Sequence, residues 1–326
     1  MQKLISVVTP CYNEEGNIEE LHARIAKVMG QLPYDYEHIF IDNRSTDATV
    51  DKIKAVAAWD THVRLIVNTR NFGPVRSPYH ALLQSHGDAV VLIASDLQDP
   101  PEMIPEFVAK WEEGYKTILA VKPESDESSA MFFIRKCYYR FISRISEVPL
   151  VQNATGAGMF DKAVVDILRR IRDPYPYFRG LVCEIGMAIT TVPFKQPRRK
   201  HGITKYNFYN LYDTAMLGIT NHSKVPLRLM TMAGFAMSML SFMLALLFFV
   251  AKLVFWNYFQ LGIAPVLIGL FFFGGIQMFF IGLLGEYVGA IHRQVRNLPL
   301  VIEEERVNFS LPSTETPVER VAESTH

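Results

Sequence analysis

The chain has 326 residues, 49% of them hydrophobic, with 33 basic and 33 acidic side chains and no net charge. That length holds two domains with ample core material, and the balanced charge excludes a global field of the kind that recruits nucleic acid. The three cysteines, Cys11, Cys137 and Cys183, show no CxxC or metal-like spacing, so they fit a reducing compartment and the role of small apolar residues.

In chain order, residues 4–9, 38–41, 63–67, 89–94 and 117–121 read as strands. A helical pattern, Ile18, Leu21, Ile25 and Val28, lies between the first two, and another, Val50, Ile53, Val56 and Ala57, between the next two. Strand, helix, strand at this spacing predicts an α/β fold with a doubly wound, mostly parallel sheet. The short apolar stretch at 4–8 runs into Asn13-Glu14-Glu15, which is not the pattern of a signal peptide. Residues 1–203 thus form one soluble domain. From 204 to 220, Phe208, Leu211, Tyr212, Ala215, Met216 and Ile219 share one helical face, which fits an amphipathic helix lying at a membrane interface over 204–223, or a core-facing helix of the soluble domain.

Two apolar runs follow, 229–251 and 263–285, the first broken only by Thr231, Ser238 and Ser241 and the second only by Gln277. Each is about 34 Å long as a helix, enough for a hydrocarbon core of roughly 30 Å. Residues 224–292 therefore read as a transmembrane hairpin in a lipid bilayer. Lys224 and Arg228 precede the first run, His292, Arg293 and Arg296 follow the second, and the link 257–264 has no Lys or Arg. The positive-inside rule then places both termini and the soluble domain in the cytoplasm. Gly282, Gly285 and Gly289 form a small-residue stripe on the second run, suited to packing on the first run or to a homo-oligomer. Residues 293–326, polar and acidic, read as a largely disordered cytoplasmic tail.

The chemistry sits at strand ends. In VVLIASDLQDPPE the apolar run stops before Asp96, and Pro100 and Pro101 forbid its continuation. Asp96, Gln98 and Asp99 then occupy the edge where open α/β sheets bind ligands. IFIDNRSTDAT puts Asp42 at a second strand end, with Ser45-Thr46-Asp47 able to cap the next helix. Two such acids make an anionic crevice, suited to ribose hydroxyls, a base edge or a phosphate that already carries a divalent cation. Asp96 and Gln98, two residues apart, can both reach one hard cation. VVTPCYNEEGNI lacks the glycines of a dinucleotide turn; Asn13 there is a ligand group or an N-cap.

Taken together, VVTPCYNEEGNI, IDNRSTDAT, TRNFG (69–73), ASDLQDPPE and RKHGITKY (199–206) resemble the family 2 glycosyltransferases of the dolichol-phosphate mannose synthase type, and most of all the bacterial polyisoprenyl-phosphate (bactoprenol) glucosyltransferases. The resemblance covers about residues 1–295. It implies a GT-A catalytic domain that moves glucose, with inversion, from UDP-glucose to a polyprenyl phosphate such as undecaprenyl phosphate, with Mg2+ or Mn2+ as cofactor. By position it assigns Pro10, Tyr12, Glu14, Asp42, Asn71 and Asp96 to the nucleotide, and Asp96 and Gln98 to the metal. Lys122, Arg135, Lys136, Arg199 and Lys205 fall to the acceptor phosphate, and Asp96, Arg199 and Lys205 carry the catalytic roles. Alternatives are a mannose synthase using GDP-mannose, or a non-catalytic sugar-nucleotide-binding membrane protein. A processive polysaccharide synthase is excluded because Trp59, Trp111 and Trp256 lack a Q-x-x-R-W context. Three departures stand out: Ala94 replaces the first acid of D-x-D-x-Q, Asn43-Arg44 replaces an acid and a glycine, and Ala157 stands where a bulky or acidic residue is expected.

Overall fold

A computed structural model describes residues 2–122, 151, 153–195, 197, 216, 225–254, 263–296 and 298–309. Eight strands form one sheet: β1 (Leu4–Cys11), β2 (Asp35–Asp42), β3 (Val63–Asn68), β4 (Ala89–Leu92), β5 (Thr117–Val121), β6 (Ala154–Asp161), β7 (Ile189–Pro193) and β8 (Glu303–Val307). Their order is β7-β5-β6-β4-β1-β2-β3-β8. The β1–β2, β1–β4, β2–β3 and β5–β7 ladders are parallel, while β6 runs antiparallel to β4 and β5, and β8 antiparallel to β3.

Helices cover both faces. On one side α1 (Ile18–Met29), α2 (Thr49–Ala57) and α4 (Ile104–Glu112) pack with Ile5, Val7 and Phe40 into one core. On the other, α3 (Gly73–Leu83), α5 (Lys162–Arg170) and α6 (Phe178–Glu184) pack with Val8, Ile39 and Ile41. Adjacent strand residues thus alternate between two apolar layers, which is why the central strands read as unbroken apolar runs. In α1 the stripe Ile18, Leu21, Ile25 and Val28 is buried, with Glu19 and Glu20 in the first turn and Lys27 in the last, matching the helix dipole. Phe107 of α4 is fully buried; truncation to Ala would cost about 3–5 kcal/mol.

Two long helices follow, α7 (Val225–Val254) and α8 (Ile263–Val295). Both are long and apolar enough to cross a membrane. Their large side chains are exposed, Phe235 at 72% and Phe271 at 76%, the opposite of a soluble core helix. A Cβ at Gly282 or Gly285 would meet nothing within 4 Å among the described residues. The interfacial-helix segment lies outside the described residues except for Met216, which is helical.

One expectation is corrected. The stretch after α8 is not all disordered tail, because Glu303–Val307 pairs along the free edge of β3. Each acid of its Glu303-Glu304-Glu305 run finds a cation: Glu303 Oε1 lies 2.6 Å from His80 Nε2 and 2.7 Å from Arg306 Nη2, Glu304 pairs with Arg44, and Glu305 Oε2 lies 2.6 Å from Lys54 Nζ. Asn308 Nδ2 donates to Ala57 O and Val63 O, and Thr69 N donates to Ile302 O. Residues 310–326 lie outside the described residues.

Candidate active site

Parallel pairing of β1 with β2 and with β4 brings the carboxyl ends of the three strands to one edge. Cys11 stands opposite Asp42 across the β1–β2 ladder. The Cys11 thiol, pushed up by burial first, also feels Asp42 and Glu14 and hydrogen-bonds with Ser95, so the three strand-end loops meet there. A non-glycine residue in left-handed backbone sits in each loop: Asn13 (φ 54°), Arg44 (φ 65°) and Leu97 (φ 60°). Such geometry persists only where surrounding contacts fix it, and it concentrates at functional sites.

Those contacts are visible. Asp42 is fully buried; it accepts a 2.8 Å bond from Ser45 N and a short one from Ser45 Oγ. Burial raises its carboxyl pKa, opposed by those Ser45 bonds. Asn13 N donates to Ser45 Oγ at 2.9 Å, and Asn13 Oδ1 accepts from Thr46 N at 2.8 Å. Glu14 N donates to Thr49 Oγ1 at 2.8 Å. Asn13 is therefore no N-cap, since α1 begins five residues later, and Ser45 and Thr46 brace the neighbouring loop instead of capping α2. The N-cap of α2 is Ala48, which makes no side-chain cap bond; Asp47, one residue before it, accepts at Oδ1 from Thr49 N at 3.1 Å. Asn43 ties in the β3 loop: its Nδ2 donates to Asn71 Oδ1 at 2.9 Å and its Oδ1 accepts from Phe72 N at 2.8 Å.

In the β4 loop Asp96 is 8% exposed and Asp99 7%. Gln98 N donates to Asp96 Oδ1 at 3.1 Å, and Ala94 N to Asp99 Oδ2 at 3.4 Å. Burial, and then the Asp96 charge, push the Asp99 carboxyl up to about 6, while Ala94 N and Arg179 act in the opposite direction. Arg179 lies in the first turn of α6, its Nη2 donating 2.7 Å to Thr155 O. The guanidinium lies 3.7 Å from where a Cβ on Gly156 (φ +106°) would project. A glycine with that φ suits both the backbone turn and the approach of the arginine.

Pro10, Tyr12, Glu14, Asp42, Asn71, Asp96 and Gln98 all occupy this edge. Lys122 follows the carboxyl end of β5, which lies parallel to β7 at the same side of the sheet, and Lys122 N donates to Asn153 O at 3.1 Å. Arg135, Lys136, Arg199 and Lys205 lie outside the described residues. Asp99 and Arg179 are additional members of the site. Asp99 is legible beside Asp96; Arg179 carries no local signal, because only the fold of α6 against β6 brings it there. Ala157 is 3% exposed and faces the core, so the expected bulky or acidic residue has no counterpart there. Among the described residues no group of three His, Cys, Asp or Glu side chains converges as a metal cage. Buried Asp96 and Asp99 offer the oxygen donors that hard cations prefer.

The Glycosyl transferase family 2 profile matches residues 6–165. An uncharacterized glycosyltransferase of Synechocystis is 32% identical, covering 91% of this chain and 94% of that one. The SfII prophage-derived bactoprenol glucosyl transferase of Shigella flexneri is 33% identical over 91% of this chain and 96% of its own. Among solved structures, glucosyl-3-phosphoglycerate synthase from Mycobacterium tuberculosis, in complex with Mn2+, UDP and phosphoglyceric acid, aligns with a TM-score of 0.44 and 21% identity, covering 67% of this chain and 76% of that one. With the acid-lined strand ends in place and a curated relative matched at this identity along nearly its whole length, the chain belongs to glycosyl transferase family 2.

Proposed function

We propose that this glycosyltransferase moves glucose from UDP-glucose to a polyprenyl phosphate at the cytoplasmic face of a bacterial inner membrane, with inversion at the anomeric carbon. The observation that carries the reading is the full-length similarity to a bactoprenol glucosyl transferase together with two exposed apolar helices directly after the catalytic domain. An acceptor carried in the bilayer needs an enzyme held at the bilayer.

The chemistry asks little of a general base. A phosphate monoester has a second pKa near 6 and is mostly dianionic at pH 7, so an acceptor oxygen attacks the anomeric carbon as the nucleotide diphosphate leaves from the opposite face. What remains is alignment and charge neutralisation. Pro10, Tyr12 and Glu14 flank the nucleoside, and Asp42, oriented by Ser45, receives a base edge or ribose hydroxyl. Asp96, with Gln98 and Asp99 beside it, would hold Mg2+ or Mn2+, which supplies counter-charge to the leaving diphosphate. Lys122, Arg135, Lys136, Arg199 and Lys205 receive the acceptor phosphate. Asn71, bonded to Asn43, keeps the β3 loop against the nucleoside loop.

The test uses purified full chain, a panel of UDP- and GDP-sugars, Mg2+ and polyprenyl phosphate, followed by analysis of the lipid extract. UDP-glucose is expected to label the lipid, and the product linkage to be opposite to the donor's. Labelling by GDP-mannose alone would overturn the donor assignment. Nucleotide binding without transfer from any donor would favour a binding protein, the reading that Ala94 in place of an acid encourages.

A further inference from the structure

Along the edge of β3 the register of β8 skips the middle acid of Glu303-Glu304-Glu305: Asn68 pairs with Glu303 and Val67 with Glu305. Glu304 is therefore a bulge. In a regular ladder alternate residues share one face of the sheet. Here Glu303 turns to His80 of α3 and Glu305 to Lys54 of α2, each at 2.6 Å, and those helices cover opposite faces. A bulge re-aims the side chain it carries, and Glu304 pairs with Arg44 in the loop after β2.

That loop belongs to the site. Arg44 stands between Asn43 and Ser45, the residues that tie it to its neighbours. Ser45 bonds both oxygens of Asp42 and receives Asn13 N, while Asn43 Nδ2 donates to Asn71 Oδ1 at 2.9 Å and to Gly73 O at 3.2 Å. The segment that carries Glu304 also holds the β3 loop, because Thr69 N and Thr69 Oγ1 donate to Ile302 O at 3.0 and 3.2 Å. Residues 302–304 thus reach the loops at the ends of both β2 and β3. Arg44 has left-handed backbone, φ 65°, a geometry that persists where surrounding contacts fix it. Its guanidinium is fixed by Glu304.

We propose that Glu304 is a positioning residue for the donor site: by holding Arg44 it fixes the loop in which Asp42 receives the nucleoside, so the strand after α8 tunes nucleotide affinity. The inference rests on the reading of Asp42 as a nucleoside ligand. The two side chains are 52% and 46% exposed, so solvent screens the pair and its effect is a small factor.

The experiment titrates UDP, with Mg2+, into the purified full chain and follows transfer from UDP-glucose to polyprenyl phosphate at steady state. Glu304→Gln is expected to raise the Kd for UDP and the donor KM about threefold, with kcat and the acceptor KM unchanged. Arg44→Gln, which leaves β8 itself untouched, is expected to show at least the same rise. Glu305→Gln removes the next ion pair on the same strand and is expected to leave UDP binding as it is. Arg44→Gln/Glu304→Gln is expected to bind UDP no more weakly than Arg44→Gln alone, since the two side chains act as one contact. Unchanged UDP binding in Glu304→Gln, an equal loss in Glu305→Gln, or additive losses in the double variant would each overturn the role while leaving the donor reading in place. A parent chain that binds no uridine nucleotide would instead remove the donor reading, and this role with it.

Discussion

Asp42 and Asp96 stand on either side of the β1 end, one closing β2 and the other following β4, and their surroundings prepare them for different tasks. Both oxygens of Asp42 are engaged by Ser45, so its carboxylate is fixed for a directional hydrogen bond. Asp96 belongs to a tight turn in which Gln98 N binds its Oδ1, beside Asp99, whose carboxyl is pushed up to about 6 by burial and by Asp96. Crowded buried carboxylates of this kind are relieved by a cation. Asp42→Asn is therefore expected to raise the apparent KM for the nucleotide sugar on the order of tenfold with an unchanged Mg2+ requirement. Asp96→Asn is expected to lower kcat by on the order of 10²-fold and to raise the Mg2+ concentration for half-maximal rate. Steady-state titrations of donor and metal separate the two, and interchanged effects would reverse the roles. Ala94, whose N–H donates to Asp99, permits a complementary change. In Ala94→Asp a third acid joins the cluster, so the thermal midpoint is expected to fall in metal-free buffer, by about 1 kcal/mol of stability, and to recover with Mg2+. A fall that Mg2+ does not reverse would remove the cation from this loop.

Among the elements, β8 shows where sequence reading stops. The central strands 4–9, 38–41, 63–67 and 117–121 were legible because burial on both faces leaves an apolar run, and their observed bounds differ by only a few residues. Glu303-Glu304-Glu305 has poor strand propensity and reads as solvated tail; its stabilising partners His80, Arg44 and Lys54 lie more than two hundred residues earlier. Similarly, α3 was hidden because its first residues, GPVRSP, carry turn chemistry, and Pro78 lies inside the helix. The site was legible as acids at strand ends, while the cross-bracing by Ser45, Thr46 and Asn43 and the approach of Arg179 required the loops to be placed. The β8 clamp has a pH signature. Burial alone would raise the Glu303 carboxyl, but His80 and Arg306 bring it from 4.5 to about 2. A depressed folded value means the stabilisation is present above the unfolded value near 4.5 and is lost as pH falls toward 2, amounting to at most about 3 kcal/mol. The thermal midpoints of Glu303→Gln and the parent chain are expected to differ at pH 6 and to converge as pH falls from about 4.5 toward 2. A gap that stays constant across that range would show that Glu303 does not clamp the strand.

At the scale of the whole molecule, β7 enters the sheet before α7 and β8 joins the same sheet after α8. A domain built from both flanks of a helical hairpin fixes the topology of that hairpin: if α7 and α8 cross the bilayer, they cross it in opposite directions, and both flanks lie on one side. On that reading the charge pattern, with Lys224, Arg228, Arg293 and Arg296 at the flanks and no Lys or Arg in the link at 257–264, would put that side in the cytoplasm. The sheet thus supplies an argument independent of charge counting that both flanks share one side, because a single crossing would tear β8 from β3. If the hairpin spans the bilayer, the domain is held at the start of α7 and again through the short stretch between α8 and β8, which limits how far the acid-lined edge can swing from the lipid surface. Single cysteines test this directly, the native Cys11 and Cys183 being buried and Cys137 replaced by serine. In intact cells a membrane-impermeant maleimide is expected to modify Gln260→Cys in the link, whereas Ser313→Cys reacts only after the cells are opened. Reaction of both positions in intact cells, or of neither, would break the link between the shared sheet and a cytoplasmic active site facing its lipid acceptor.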